Sequence, residues 1–251
     1  MDNFLVKYRP KVFEDVVGQE DAVMKLKNII VKGNIPAGIF LSGDHGLGKT
    51  TLAKLLARSL LCEQRPPGTF NPCNQCPRCE TSYYSGQFIE RDCSKLTVEL
   101  INSDLVSYMM FKIIYYDELQ RAKIPAQEMF LKPLEGDPYR LNTLFIFSTA
   151  ELEKVDKALL ERVLHLKLLP PTVDQLIPWL EKISKLASIH IEDKSALGSI
   201  AEECNRIPRL CLNFLLEHCI LGEQPISKQM VEKTTRVDGI GGERITPHTK
   251  F

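Results

Sequence analysis

The stretch Ala37-Gly38-Ile39-Phe40-Leu41-Ser42-Gly43-Asp44-His45-Gly46-Leu47-Gly48-Lys49-Thr50-Thr51-Leu52 decides the fold. An apolar run leads into an unbroken G-x-x-x-x-G-K-T at residues 43–50, and Thr51 opens a segment to residue 61 with helical periodicity and good helix formers. Strand, loop and helix in that order make a phosphate-binding loop. Its glycines let the backbone N–H groups of Gly43, Asp44, His45, Gly46, Leu47 and Gly48 turn onto an anion. Lys49 reaches the outer phosphates and the Thr50 hydroxyl can hold Mg²⁺. The helix that follows, with Thr51 in its first turn, adds the positive end of its dipole.

Further along the chain, residues 111–116 form a β-branched and aromatic run that ends in Asp117-Glu118, and residues 142–147 form a second one that ends in Ser148-Thr149. Both read as buried strands of a parallel sheet. Residues 21–30 have helical spacing, with Val23, Met24, Leu26, Ile29 and Ile30 as the apolar set. A helix is expected over 126–135, kinked or shortened by Pro133. Strands alternating with helices predict an α/β fold, a parallel sheet with helices on both faces. After Leu169-Pro170-Pro171 only helical periodicity remains: Thr172 and Gln175 have the spacing of a capping box, and three or four amphipathic helices are expected to about Lys233. The expected organisation is a nucleotide-binding domain over 1–169, a small all-α domain over 170–235 and a loose tail over 236–251.

Composition narrows the class. Apolar residues make up 44% and charged ones 25%, and 32 basic residues balance 32 acidic ones, which argues against a histone-like polyanion binder. No apolar run is long enough to span a bilayer and the first residues lack a signal region, so a cytoplasmic protein without a membrane partner is expected. Cys73-x-x-Cys76-x-x-Cys79, with Cys62 upstream, supplies four thiolates for a closed tetrahedral Zn²⁺ site of structural type. Cys93 is the substitute for Cys62, and an iron–sulfur cluster is the alternative occupant. Pro66, Pro67, Gly68 and Pro72 are expected to exclude regular structure from this insert. Cys204, Cys211 and Cys219 read as core residues of helices.

The acidic pair completes the phosphate loop chemically. In nucleotide hydrolases of this class the first carboxylate, here Asp117, orients Mg²⁺, and the second, Glu118, polarises the attacking water. Thr149, at the strand edge where open parallel sheets bind ligands, can sense the outer phosphate. The five histidines show no ligand spacing.

Together with Lys7-Tyr8-Arg9-Pro10, Phe13-Glu14-Asp15-Val16-Val17-Gly18-Gln19-Glu20 and the cysteine insert directly after the first loop helix, these motifs resemble the AAA+ clamp-loader ATPases over roughly residues 4–235, and within them the gamma/tau branch of bacterial DNA polymerase III. The resemblance implies that Tyr8, Arg9, Pro10 and Val17 lie along the adenine and that Thr149 is a first sensor. It makes Arg162 a finger acting on a neighbouring subunit's phosphate, and Arg209 a second sensor that closes the helical lid on ATP. It also implies Zn²⁺ on the cysteines. Other clamp-loader subunits, a sliding clamp and primer–template DNA are the implied partners, held when ATP binds and released by hydrolysis. The finger sits in Glu161-Arg162-Val163 where the family usually has Ser-Arg-Cys, and Glu161 is expected to pair with it when the site is empty. The family's third, collar domain needs roughly 100 further residues, so the chain is read as a shortened piece or a compact viral version working in the host cytoplasm. Two other readings stand beside this one. Arg206-Ile-Pro-Arg209 resembles the Gly-x-Pro-Arg of a branch-migration motor, and a nucleotide-binding scaffold without turnover is the non-enzymatic alternative.

Overall fold

The computed structural model describes residues 4–80, 86–105, 110–136, 142–222 and 225–231. In chain order its elements are α1 (Phe4–Lys7), α2 (Glu20–Lys32), β1 (Gly38–Ser42), α3 (Lys49–Leu61), α4 (Pro77–Glu80), β2 (Phe88–Asp92), α5 (Val98–Asp104), β3 (Lys112–Asp117), α6 (Ile124–Glu128), α7 (Leu131–Glu135), β4 (Thr143–Thr149), α8 (Lys157–Leu160), β5 (Leu164–Lys167), α9 (Val173–Leu186), α10 (Lys194–Glu203) and α11 (Pro208–Leu221). They form two compact units. One comprises Pro10–Asp44 and Gly48–Leu168; the other comprises Met1–Arg9, His45–Leu47 and Leu169–Phe251.

The first unit carries a five-stranded parallel sheet in the order β2-β3-β4-β1-β5. β1 and β4 are buried along their whole length and β3 up to its last residue, so their side chains read as unbroken apolar runs. β2 and β5 escaped the sequence reading for the opposite reason. They are four- or five-residue edge strands with mostly half-exposed side chains, Phe-Ile-Glu-Arg-Asp and Leu-His-Leu-Lys, and neither gives a clear period.

The core on one face of the sheet is aromatic. Phe147 stacks with Tyr116 at 5.5 Å and lies 5.1 Å from Phe130 edge-on, and Tyr116 meets Phe130 at 4.7 Å. Beneath it Asp104, 3% exposed, accepts both arms of Arg91 and the Tyr116 hydroxyl, while Lys112 donates to its backbone carbonyl at 2.8 Å. Buried Lys112 and half-buried Arg91 are therefore matched on one acidic residue, and burial lowers the Lys112 ammonium below its ordinary range.

Three local expectations change. The helix over 126–135 is two short ones, α6 and α7, and the break falls at Met129-Phe130 rather than at Pro133. Pro133 sits in the first turn of α7, where a missing N–H costs no helical bond. Met24 is 55% exposed and leaves the apolar set of α2, which is Ala22, Val23, Leu26, Ile29 and Ile30. The insert does contain regular structure, the short α4, which Pro77 starts.

In the second unit, Thr172 caps α9 with both bonds of the capping box. Asp193 caps α10 through the N–H groups of Ser195 and Ala196. α11 has Pro208 at its start and a left-handed Gly222 at its end. Cys204 and Cys211 are buried as expected, whereas Cys219 is only half-buried. The tail over 236–251 lies outside the described residues.

Phe147 is the shared partner of the aromatic core, so Phe147→Ala should lower unfolding free energy by about 3–5 kcal/mol, read from the urea midpoint; a loss below about 1 kcal/mol would show that the rings repack around the void.

Candidate functional site

Strand register assembles the site. Ser42 lies opposite Thr149, and the Gly43 N–H donates to the Thr149 carbonyl at 3.2 Å. Tyr116 lies opposite Phe147, so Asp117 and Ser148 leave the sheet side by side. The ends of β1, β4 and β3 thus form one edge, the place where parallel sheets bind ligands. Gly43 has a φ of 139°, and a Cβ there would fall 2.5 Å from the Leu168 carbonyl oxygen, so no other residue fits. Lys49 is buried, and its ammonium donates to the carbonyls of Gly43 and Asp44, at 2.5 and 3.0 Å. Thr50 and Thr51 stand in the first turn of α3, whose leading N–H groups have no helical partner.

Thr50 and Asp117 are joined by a residue that the sequence reading passed over, Tyr115. Its hydroxyl donates to Asp117 Oδ1 at 2.7 Å and lies 3.2 Å from Thr50 Oγ1. Ser148 Oγ also donates to Asp117 Oδ1, and it accepts the Glu118 N–H at 3.2 Å. Tyr115 also lies 3.0 Å from Ser148 Oγ, but the two shortest bonds, both to Asp117, set the protons. Tyr115 and Ser148 each spend their proton on the carboxylate, which leaves Thr50 to donate to the Tyr115 oxygen. Burial, and after it the Asp117 charge, pushes the Tyr115 phenol far up, so it remains a donor. The Thr50 proton then points toward Tyr115, leaving a hydroxyl lone pair and a carboxylate, which are hard oxygen donors suited to Mg²⁺.

Glu118 follows in the left-handed region, φ 60° and ψ 49°, a conformation uncommon for a non-glycine residue and one that marks a constrained position. Its carboxylate accepts Gln120 Nε2 at 2.7 Å and lies 3.6 Å from Arg121 Nε. Gln120 Oε1 in turn accepts the Thr149 hydroxyl at 2.7 Å. Buried Gln127 secures this loop, donating to the Ala122 and Lys154 carbonyls at 3.0 and 3.2 Å and accepting the Asp156 N–H at 2.9 Å.

Arg162 is not part of this edge. It precedes β5, whose Leu164 lies opposite Ile39, roughly 10 Å of strand from Ser42, so Arg162 stands beyond the other end of the sheet. Its ion-pair partner is Glu135 rather than Glu161: Nε and Nη2 both reach Glu135 Oε1, and Nη1 donates to the Ala158 carbonyl at 2.6 Å. Of the residues assigned to adenine, Pro10 and Val17 are half-buried in the first unit. Tyr8 and Arg9 belong to the second, where the Tyr8 hydroxyl donates to the Leu186 carbonyl at 3.3 Å. That unit also includes the loop tip, His45, Gly46 and Leu47. A Cβ on Gly46 would meet Ile207 at 2.6 Å and Arg209 Cβ at 3.0 Å, so the tip packs on the start of α11.

The four expected cysteines converge. The sulfurs of Cys62, Cys73, Cys76 and Cys79 lie within 4.8 Å of one another, with Cys73 to Cys79 at 3.7 Å. A tetrahedral ion with bonds of about 2.3 Å places its ligands about 3.8 Å apart, so the spacing fits. Backbone N–H groups of Gln75 and Cys76 point at Cys73 Sγ and lower its pKa. Burial raises Cys76, but bonds from Cys79 and from backbone N–H groups outweigh it and bring the thiol down to about 6. Cys93 is no substitute ligand. It is buried behind the acidic pair, and burial, followed by the charges of Asp117, Asp92 and Glu118, keeps its thiol protonated. The insert also reaches the N-terminal segment: Asn71 accepts the Phe13 N–H and donates to Glu14, and Arg58 of α3 ties Asn74 to the Cys79 carbonyl.

Residues 18–172 match the family described as DNA polymerase III, delta subunit. The chain is 33% identical to the DNA polymerase III subunit gamma of Buchnera aphidicola subsp. Schizaphis graminum, over 95% of this chain and 66% of the relative. It is 31% identical to the tau subunit of Escherichia coli, over 90% of this chain and 36% of the relative. The chain therefore spans from about a third to just under two thirds of the length of these relatives. Among solved structures it superposes on the Thermotoga maritima RuvB Holliday junction branch migration motor with a TM-score of 0.69 and 20% identity, covering 94% of this chain and 73% of that one. That likeness shows the fold alone, a parallel sheet with helices.

Proposed function

The chain belongs to the family described as DNA polymerase III, delta subunit, and from that premise we propose that it is an ATP-hydrolysing clamp-loader subunit, acting with other subunits to place a sliding clamp on primer–template DNA. The gathering of Lys49, Thr50, Asp117, Glu118 and Thr149 at one sheet edge carries the reading. The gamma and tau names of the relatives give it its direction. A cytoplasmic setting fits it, and no described helix is long and apolar enough to cross a membrane.

Each residue has a task in this reading. Lys49 exchanges the loop carbonyls for the outer phosphates, and the N–H groups of residues 43–48 and the first turn of α3 bind the rest. Thr50 and Asp117 hold Mg²⁺, which when bound offsets charge on the phosphates. Glu118 takes the proton of the attacking water. Tyr8, Arg9, Pro10 and Val17 line the adenine, and Arg209 acts as second sensor from the lid. Arg162, at the far end of its own sheet, serves the phosphate of a neighbouring subunit. Cys62, Cys73, Cys76 and Cys79 hold Zn²⁺ as a structural ion, since four thiolates leave no open coordination position.

ATP turnover should rise when primer–template DNA and the cognate clamp are present together. Stimulation by four-way junction DNA in their place, or no turnover in any mixture, would overturn the clamp-loader reading. Glu118→Gln should retain ATP binding in equilibrium dialysis and lose roughly 10²–10⁴-fold in turnover; wild-type hydrolysis would remove Glu118 from the base role. Cys76→Ser should lower bound zinc from about one ion per chain to none while ATP affinity persists, and zinc retained at full occupancy would place the metal elsewhere.

A further inference from the structure

The hydroxyl of Thr149 is committed inside the protein. Thr149 is 0% exposed. It donates to Gln120 Oε1 at 2.7 Å, lies 3.1 Å from the Glu151 carbonyl and accepts the Glu151 N–H at 3.0 Å. A hydroxyl has one proton, and the shortest of these bonds uses it. The orientation of the Gln120 amide follows from chemistry. Glu118 Oε2, 2.7 Å away, can only accept, so the nitrogen faces Glu118 and the oxygen faces Thr149. Reversing the amide would set its oxygen against a carboxylate oxygen. Gln120 is therefore a bridge with a fixed sense, from Thr149 on β4 to Glu118.

We propose that Gln120 is a positioning residue for Glu118, and that Thr149 contributes to turnover by anchoring Gln120 rather than by donating to the outer phosphate. The inference rests on the assignment of Glu118 as base. Glu118 needs such support because it stands on left-handed backbone just beyond the end of β3, outside the sheet's hydrogen bonds. Its Oε2 is held by the amide and faced by Arg121 at 3.6 Å, so the carboxylate has a set direction. Thr149 can act as the anchor because its own backbone is fixed, with its carbonyl accepting from Gly43 at the start of the phosphate loop. The rigid end of β4 thus sets the aim of a side chain in a loop.

The test is a double-mutant cycle on the full-length protein, with single-turnover ATP hydrolysis and equilibrium affinities for ADP and ATPγS. Gln120→Ala and Thr149→Val should each lower the hydrolysis rate about tenfold to a hundredfold, the scale of a hydrogen bond to a charged group. The double variant should fall no more than about threefold below the worse single one. Neither substitution should change the preference for ATPγS over ADP by more than about twofold, and Thr149→Ser, which keeps the hydroxyl, should recover most of the rate that Thr149→Val loses. Additive rate losses, or a several-fold loss of triphosphate preference in Thr149→Val, would show that Thr149 addresses the phosphate itself. Gln120 is half-exposed, so Gln120→Ala decides alone if Thr149→Val folds poorly: full hydrolysis there overturns the link. Glu118→Gln separates the two levels. If it hydrolyses normally the base assignment fails, and if it is inactive while Gln120→Ala is normal only the bridge fails.

Discussion

The register between β4 and its two neighbours is the constraint from which the rest follows. Backbone hydrogen bonds place Ser42 beside Thr149 and Tyr116 beside Phe147, and only with that alignment do the phosphate loop, Ser148-Thr149 and Asp117-Glu118 leave the sheet at one level. A slip of one residue would turn every side chain of β4 to the opposite face. Phe145 and Phe147 would leave the aromatic core, and Ser148 would no longer reach Asp117. The apolar packing of one face thus specifies the polar geometry at the end of the strand. That is why an uninterrupted buried sheet, weak as a functional clue, is what the chemistry requires.

Polar side chains placed at such an edge must be satisfied locally, and the solution found here gives each proton a direction. Tyr115 and Ser148 donate to Asp117, Thr50 donates to Tyr115, Thr149 donates to Gln120, and Gln120 donates to Glu118. Leaving a buried donor such as Tyr115, Ser148 or Thr149 without a partner costs about 1–3 kcal/mol, which holds the network in place. The two acidic residues consequently differ in kind. Asp117 is held by neutral hydroxyls within the sheet, whereas Glu118 sits beyond it, held by the Gln120 amide with Arg121 nearby. The first arrangement suits a fixed ligand, the second a group that must meet water.

Much of this was legible in the sequence because its signals are local. The phosphate loop, the two buried strands, the capping box at Thr172 and the cysteine triplet each depend on residues within a few positions, and each folds as its pattern dictates. Strands β2 and β5 were not legible, because a short half-exposed edge strand has no period to detect. Tyr115 and Gln120 were missed for another reason. Tyr115 reads as one more apolar strand residue until the register shows its hydroxyl between Thr50 and Asp117, and nothing in the order of residues says that Gln120 faces Thr149, 29 positions away. The partner of Arg162 failed similarly. Glu161 is adjacent in sequence, but the terminus of α8 turns Arg162 toward Glu135 at the end of α7.

That last contact bears on how such a subunit is completed. Gly38 lacks a side chain where a Cβ would strike Leu134 at 2.6 Å and Val163 at 2.7 Å, so α7 and the segment before β5 close tightly on the start of β1. Glu135 and Arg162 are carried by those same segments, and their pairing follows from that packing. The pair is partly exposed, 56% and 30% in its side chains, and such pairs are worth about 0–1 kcal/mol. Glu135 therefore keeps the guanidinium extended without binding it strongly, and a phosphate group with more charge can displace it. The sheet meanwhile holds the arginine at one end and the phosphate loop at the other. On the proposed reading each subunit carries half of two sites, and an arginine at the end opposite its own loop can be used only by a neighbour joined head to tail. An association of that kind closes into a ring or continues as a spiral according to the rotation between subunits, so a small change at the phosphate edge of one subunit alters the fit of the arginine edge of the next.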